Sequence, residues 1–418
     1  MYTRYLVSIL VVLVFASCKD QKKPSSFLVG AASHTINPAV GAFIAGDKQD
    51  RHFTGIHDSL FVKAVVISNS KEQITFLTFD CIGLLYPTLL EIRKQVASKI
   101  LRNEFNPSNI VMSSTHTHSG PDVVGIWGPD QMTSGVDSLY MKALVEKAVA
   151  AIEAAWATKQ PATLHYADTN FGEEWVYNIS EPEELDRSVS VLQFKDLAGK
   201  SIATLTNFAC HPTIMDGTNS LVSSDYVLGL YKQLNESQGG ENLFLNGAIG
   251  GWVQPEYEEK TFKRAELRGR QLGVAVEEAL KLSTASVSSD INFKSKTFYL
   301  PVSNVGFHQL SQAGVIDRQI TDSVFTEVAW FSIGKAQFVT HPGETVPAFS
   351  LQSKKLMKTS GPKFVIGLGM DALGYILKPT FFEGDTTIKH TEYLTGMSIG
   401  KEAGPILMKA IESLATEK

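Results

Sequence analysis

DSLFVKAVVISN (residues 58–69) and ITFLTFDCIGL (residues 74–84) are two runs dense in β-branched and aromatic residues, separated by a short polar break. Runs of this kind fit a pleated, largely buried surface, and the short break predicts that they are neighbouring strands. Immediately downstream, YPTLLEIRKQVASKI (86–100) carries apolar residues at helical spacing with Pro87 in its first turn, and NIVMSS (109–114) predicts a third strand. The order strand, strand, helix, strand predicts an α/β protein. Further out, helical spacing recurs over 137–158, 225–238 and 261–283, and apolar strand-like runs cover 188–195, 201–209, 242–246, 291–302, 327–333 and 336–340. Helices interleaved with strands in this way predict mixed β-sheets flanked by helices. No internal repeat or Pro/Ser/Gly-rich linker divides the chain, so one large domain, or two intimately packed lobes, is expected.

Several of the predicted strands run straight into a cluster of polar and turn-forming residues. NIVMSSTHTHSGP (109–121), LTNFACHPT (205–213), LFLNGAIGG (243–251), AQFVTHPGE (336–344) and FVIGLGMDALGY (364–375) each leave an apolar run through His, Asn, Gly, Glu, Asp or Tyr. In α/β proteins functional groups gather where strands end and loops begin, so these five loops are the candidate site.

The 418 residues carry a net charge of −5 and no cluster of Lys or Arg, which leaves no electrostatic footprint for nucleic acid. The amino terminus, MYTRYLVSILVVLVFASCKD, has Arg4, an apolar run from Tyr5 to Phe15 and small residues ahead of Cys18. That is the layout of a secretory signal, and it is too short for a membrane span. Small residues directly before a cysteine resemble a bacterial lipobox, implying a signal peptide over 1–17, lipidation of Cys18 and a flexible tether over 18–27. A chain anchored to the membrane through Cys18, at the periplasmic or outer-membrane surface of a bacterial cell envelope, follows. Cys81 and Cys210 both lie in apolar runs and are expected as buried free thiols.

A catalytic zinc needs three or four N, O or S ligands, usually from separated loops, with one position open. His116 and His118, His211, Glu344 and Tyr375 are side chains of suitable type, although neither H-E-x-x-H nor Cys-x-x-Cys spacing occurs. Each has an ordinary alternative: a hydrogen-bonded histidine, a helix-entry glutamate, a core tyrosine. Alternate residues of an extended segment face opposite ways, so His116 and His118 are expected to divide into one ligand and one substrate-side residue.

FLVGAASHTINP, GIHDSLFVKAVVI, FLTFD, SSTHTHSGP, FACHPT followed by LVSSDY, NGAIGG, THPGE and LGYI occur in the order, and with much of the wording, of the neutral/alkaline ceramidase catalytic domain. The chain resembles that family from about Leu28 to its carboxyl end, which implies one ceramidase-like domain over 28–418. The family comprises zinc-dependent hydrolases of the fatty-acyl amide of ceramide. The resemblance therefore implies Zn2+ as cofactor, His116, His211, Glu344 and Tyr375 as its ligands, and a small-molecule or lipid substrate. His118 would then orient a water, shuttle its proton or donate to the oxyanion. Tyr375 could serve instead as an oxyanion donor, and Tyr393 falls where the family has a second active-site tyrosine. Asn246 and the backbone N–H of Gly250 are candidate oxyanion donors, and Asp80 and Asp225 are candidate partners for the imidazole N–H groups, with a helix N-cap an equal reading of Asp225 or its neighbour Ser224.

The resemblance also has gaps. The family's Gly-Asp-x-Ser-Pro stretch is NGAIGGWVQP (246–255) here, with Val253 and Gln254 where its serine would stand, and VYNIS (176–180) has Ile179 where an arginine is expected. The sequence thus implies a short family member without the C-terminal β-rich domain. Its expected activity is zinc-dependent cleavage of an amide, with an N-acyl sphingolipid as one candidate, or of an ester, by zinc-activated water. The alternatives are a non-catalytic ligand-binding lipoprotein on a degenerate ceramidase-like fold and a structural lipoprotein whose histidines are merely hydrogen-bonded.

Overall fold

The computed structural model describes residues 27–100, 105–256 and 258–417. The signal segment and Cys18 expected from the sequence lie outside these residues. Among the described residues the main sheet has eight strands: β1 (Phe27–Thr35), β2 (Phe61–Ser68), β3 (Gln73–Phe79), β4 (Ile110–Ser114), β5 (Gln160–Asn170), β6 (Ser188–Asp196), β7 (Ser201–Phe208) and β8 (Glu241–Asn246). Their order is β8-β7-β6-β5-β1-β2-β3-β4, parallel at β8/β7 and β3/β4 and antiparallel elsewhere. A second, four-stranded sheet runs β9 (Ile291–Pro301), β10 (Ser323–Ile333), β11 (Ala336–Thr340), β12 (Lys363–Ile366), with β11 and β12 parallel.

Helices cover both sheets, as the interleaved pattern predicts. Helix α1 (Tyr86–Lys99) packs on α2 (Ser138–Ala157), which lies against β1 and β2; α3 (Tyr226–Ser237) and α4 (Phe262–Lys281) pair and cover β8 and β5. The short α5 (Val305–Gln312), α6 (Pro347–Leu356), α7 (Thr391–Gly396) and α8 (Ala403–Thr416) complete the chain, with α8 lying across β9 and β10. Asp137, Thr261 and Asn304 cap α2, α4 and α5 by accepting first-turn N–H groups that have no partner within the helix. Among the described residues no helix is long and apolar enough to cross a membrane.

The period-2 pattern decides the packing between the sheets. Phe76 of β3 meets Phe331 of β10 and Phe338 of β11 at ring separations of 5.8 and 5.6 Å, and Phe338 stacks on Phe364 of β12 at 4.2 Å. Every residue of β3 is buried, which is why large apolar residues, Phe76 and Leu77, occupy adjacent positions and so both faces of that strand. The main sheet is folded over so that its far edge meets its near one. At the start of β8, Glu241 accepts from Ser33 of β1 at 2.9 Å and pairs with Lys63 of β2 at 3.6 Å. At its end, Asn246 donates to the Thr115 carbonyl, just beyond β4, at 2.9 Å.

Candidate metal centre

Closure of the fold brings the ends of β4, β7, β8, β11 and β12 to one place, so the five polar loops singled out from the sequence form one cluster. Loop-to-loop hydrogen bonds hold it: Gly367 N–H to the Asn246 carbonyl (2.9 Å), Met370 N–H to the Met112 carbonyl (2.8 Å) and Asn207 Nδ2 to the Val365 carbonyl (3.0 Å). Glu344–Thr345 pairs in parallel with Tyr375–Ile376, which sets those two candidate side chains side by side.

At the centre, the Nδ1 atoms of two imidazoles are engaged by backbone carbonyls. His116 Nδ1 lies 2.5 Å from the Ile82 carbonyl and His211 Nδ1 lies 2.7 Å from the Val253 carbonyl. A carbonyl only accepts, so both Nδ1 atoms carry the proton and both Nε2 atoms present lone pairs. Those lone pairs face a third acceptor: Glu344 Oε2 is 3.1 Å from His211 Nε2 and 3.5 Å from His116 Nε2, and all three side chains are buried. Burial alone would raise the Glu344 carboxyl, and a proton on the His116 or His211 nitrogen facing it would hold it well below the usual range. Three buried acceptors cannot share one spot without a cation among them, a proton or a metal ion. Two imidazoles presented through fixed tautomers and one carboxylate are the donor set a catalytic zinc takes, so the residues fit the metal the sequence implies.

His118 differs from the expectation of opposite-facing histidines. His116 has a left-handed φ of 71°, so residues 116–118 are not an extended run and the alternation rule does not apply. The rings of His116 and His118 are 5.1 Å apart, and the ligand atoms of His116, His118 and His211 all lie within 4.8 Å of one another. Both ring nitrogens of His118 are buried without a well-aligned hydrogen bond; Nδ1 lies within ion-pair distance of Asp47 Oδ2, at 3.4 Å, while Nε2 has no such neighbour. Burial pushes the His118 pKa down to about 4, against the opposing pull of Asp47, so the ring is neutral near pH 7. The Asp47 turn is braced by Arg51, whose Nη2 donates to the carbonyls of Ala45 (3.1 Å) and Gly46 (2.9 Å). Gly46-Asp47 has the sequence of an ordinary surface turn, and no sequence signal marks the approach of Asp47 to His118.

Tyr375 is buried beside Glu344, and burial pushes its phenol well above its ordinary value. Tyr393 stands at the rim, half exposed, 6.3 Å from the Tyr375 ring. One sequence expectation is narrowed and another needs correction. Asn246 is built into the loops: one N–H of its Nδ2 donates to the Thr115 carbonyl at 2.9 Å, which leaves only the second for an oxyanion, and its Oδ1 accepts from Gly247 and Cys210 N–H at 2.9 and 3.3 Å. It clamps the loops bearing His116 and His211. Gly250 N–H is taken, by the Thr345 carbonyl at 2.9 Å. What matters at Gly250 is the missing Cβ, which would sit 2.4 Å from the Glu344 carbonyl oxygen and 2.8 Å from Val346 N. Neither backbone atom can yield, so Gly250→Ala is expected to lower stability by about 2 kcal/mol in urea unfolding.

The expected carboxylate partners of the imidazoles are also displaced by backbone. Asp80 accepts from Phe61 N–H at 2.9 Å, and burial lifts its pKa to about 7. Asp225 caps α3 and holds Met215 N–H at 2.7 Å, and burial lifts its pKa to about 6. Cys81 and Cys210 are buried free thiols, as expected.

A cavity of about 500 Å³ opens onto His116, His118, Glu344 and Tyr375. Leu85, Ile126, Phe307, Leu310, Ile316 and Met397 make its walls largely apolar, with Asp47 and Gln309 among the polar groups along it.

The comparisons agree with this architecture. The family profile for the neutral/alkaline non-lysosomal ceramidase N-terminal region matches residues 27–249. The neutral ceramidase of Pseudomonas aeruginosa is 24% identical over 239 residues, covering 54% of this chain and 35% of the relative. Neutral ceramidase B of Dictyostelium discoideum is 28% identical over 189 residues, covering 41% and 26%. The matched segment thus spans about a third or less of these curated relatives. The crystal structure of the Pseudomonas aeruginosa enzyme superposes with a TM-score of 0.76 at 16% identity, over 93% of this chain and 74% of that one. With the fold shared and more than half of its residues within the profile, the chain belongs to the neutral/alkaline non-lysosomal ceramidase family.

Proposed function

We propose that the protein is a zinc-dependent hydrolase that cleaves an amide or ester bond next to an apolar chain, with N-acyl lipids as the first substrates to try. The observation that carries this reading is the convergence of His116 Nε2, His211 Nε2 and Glu344 Oε2, three buried acceptors, beside a largely apolar cavity that His116 and Glu344 line. These residues, with Tyr375 beside them, would hold the ion. Bound there, zinc would polarise a scissile carbonyl and lower the pKa of a nearby water toward neutrality.

The chain's own groups supply the rest. The apolar walls bind the acyl chain and exclude water from the reacting bond. Asp47 orients His118 through Nδ1, leaving the unpartnered Nε2 to take a proton from the attacking water and return it to the leaving group. The Tyr375 hydroxyl stands beside Glu344, where it can donate to the carbonyl oxygen as charge develops. No acyl-serine step is assigned, because Gln254 and Val253 occupy the place of the family serine and neither is a nucleophile. We further propose that Cys18 tethers the enzyme at a membrane surface, close to lipid substrates.

The test is a hydrolysis panel of N-acyl sphingosines, N-acyl amino acids and long-chain esters. Turnover of at least one, abolished by chelation and restored by added zinc, is the expected result. A folded protein that binds these compounds without turning any over, with or without zinc, would replace this reading with that of a binding lipoprotein.

A further inference from the structure

Trp252 has a φ of 60°, in the left-handed region, directly after Gly251 at 78°. Glycine or asparagine adopts that conformation with little strain; a bulky aromatic does not. Strain of this kind persists only where the surroundings fix it, and it is concentrated at functional sites. Here the turn is fixed on both sides. The Trp252 carbonyl accepts from Ile179 N–H at 3.1 Å, and the Val253 carbonyl accepts from both His211 N–H (2.9 Å) and His211 Nδ1 (2.7 Å).

The conformation aims the indole at the site. Trp252 Nε1–H donates to the Tyr375 hydroxyl oxygen at 2.9 Å, while the ring packs against His390 (4.4 Å) and Tyr393 (5.3 Å). A phenol has one hydrogen to give, and an indole N–H only donates. With one side of the Tyr375 oxygen taken by Trp252, its own hydrogen is turned away from the indole, to the side of the cavity that Tyr375 lines. We propose that Trp252 is a positioning residue: its strained turn fixes the direction in which Tyr375 donates its hydrogen bond to the reacting carbonyl. The same three residues, 251–253, thereby orient His211 through a carbonyl and Tyr375 through an indole, in the stretch where the family serine is missing.

The inference rests on the proposed hydrolase reading and is tested with Trp252→Phe, which keeps the ring and removes the N–H. Expected are a fall in kcat of about tenfold, KM within about twofold of the parent and unchanged zinc per chain. Independently of turnover, calorimetry with a long-chain alkylphosphonic acid, a charged tetrahedral mimic, should show binding weakened about tenfold. In a Tyr375→Phe background the same substitution should change phosphonate binding by less than about twofold, because there is no hydroxyl left to orient. Should Trp252→Phe fail to fold, Trp252→Gly, which has no left-handed strain, carries the same comparison. Full kcat and phosphonate affinity in the folded variant, or equal losses with and without Tyr375, would overturn the inference. A parent protein without turnover would instead overturn the hydrolase reading.

Discussion

Glu344→Gln is expected to carry less than about a tenth of an equivalent of zinc and to lose hydrolysis by on the order of a thousandfold or more. The reason is electrostatic. His116 and His211 are held by carbonyls and bring no negative charge, so Glu344 is the one negative charge the trio offers an ion. Removing it leaves a dication with two imidazoles in a buried setting. The stability of the same variant separates a metal site from a structural ion pair. In the metal-free parent, three lone-pair acceptors face one another at 3.1 and 3.5 Å. A glutamine could donate its amide N–H to one of those nitrogens. Glu344→Gln should therefore be at least as stable as the chelated parent, while the zinc-loaded parent gains roughly 4 kcal/mol at a thousandfold excess of free zinc over Kd. A Glu344→Gln protein less stable than the chelated parent would mean that the carboxylate serves to pair with a protonated histidine.

His118→Ala should behave in the opposite way, keeping its zinc and losing on the order of a hundred- to ten-thousandfold in kcat. Its Nε2 is buried and unpartnered, its ring sits 5.8 Å from that of His211, and its Nδ1 is directed to Asp47 rather than to a carbonyl. That arrangement suits a group that exchanges a proton in each turnover. The measurement is zinc content alongside single-turnover rates. Loss of the ion with His118→Ala would move His118 into the ligand set, a position its distance from His116 and His211 permits.

Periodicity made much of the fold legible. Helical spacing over 137–158 and 261–283 corresponds to α2 and α4 within about two residues, and the runs at 188–195 and 336–340 are β6 and β11. Strands β1 and β5 were not visible, for a physical reason. Ala31, Ala32 and Ser33 of β1 are small, and β5, with Pro161 and a mixed polar face, is only partly buried. Those strands are held by register with their neighbours rather than by their own apolar content.

The site was legible at the level of loops and not at the level of side-chain direction. Strand ends gathered His116, His211, Glu344 and Tyr375 as candidates, each with an ordinary structural alternative, and the family resemblance rather than spacing made them a ligand set. The orientation of His118 depended on a single left-handed residue, His116. The engagement of Asn246 and the Gly250 N–H depended on contacts with residues 131 and 95 positions away. The imidazole N–H partners proved to be the carbonyls of Ile82 and Val253, which no sequence distinguishes from any other carbonyl.

The central claim is that one metal ion sits among His116 Nε2, His211 Nε2 and Glu344 Oε2, and anomalous X-ray scattering at the zinc edge tests it most directly. Crystals of the protein purified without chelator should give one strong peak about 2 Å from each of those atoms. Crystals grown with added zinc that show no peak there, from protein that still hydrolyses its substrate, would contradict the account.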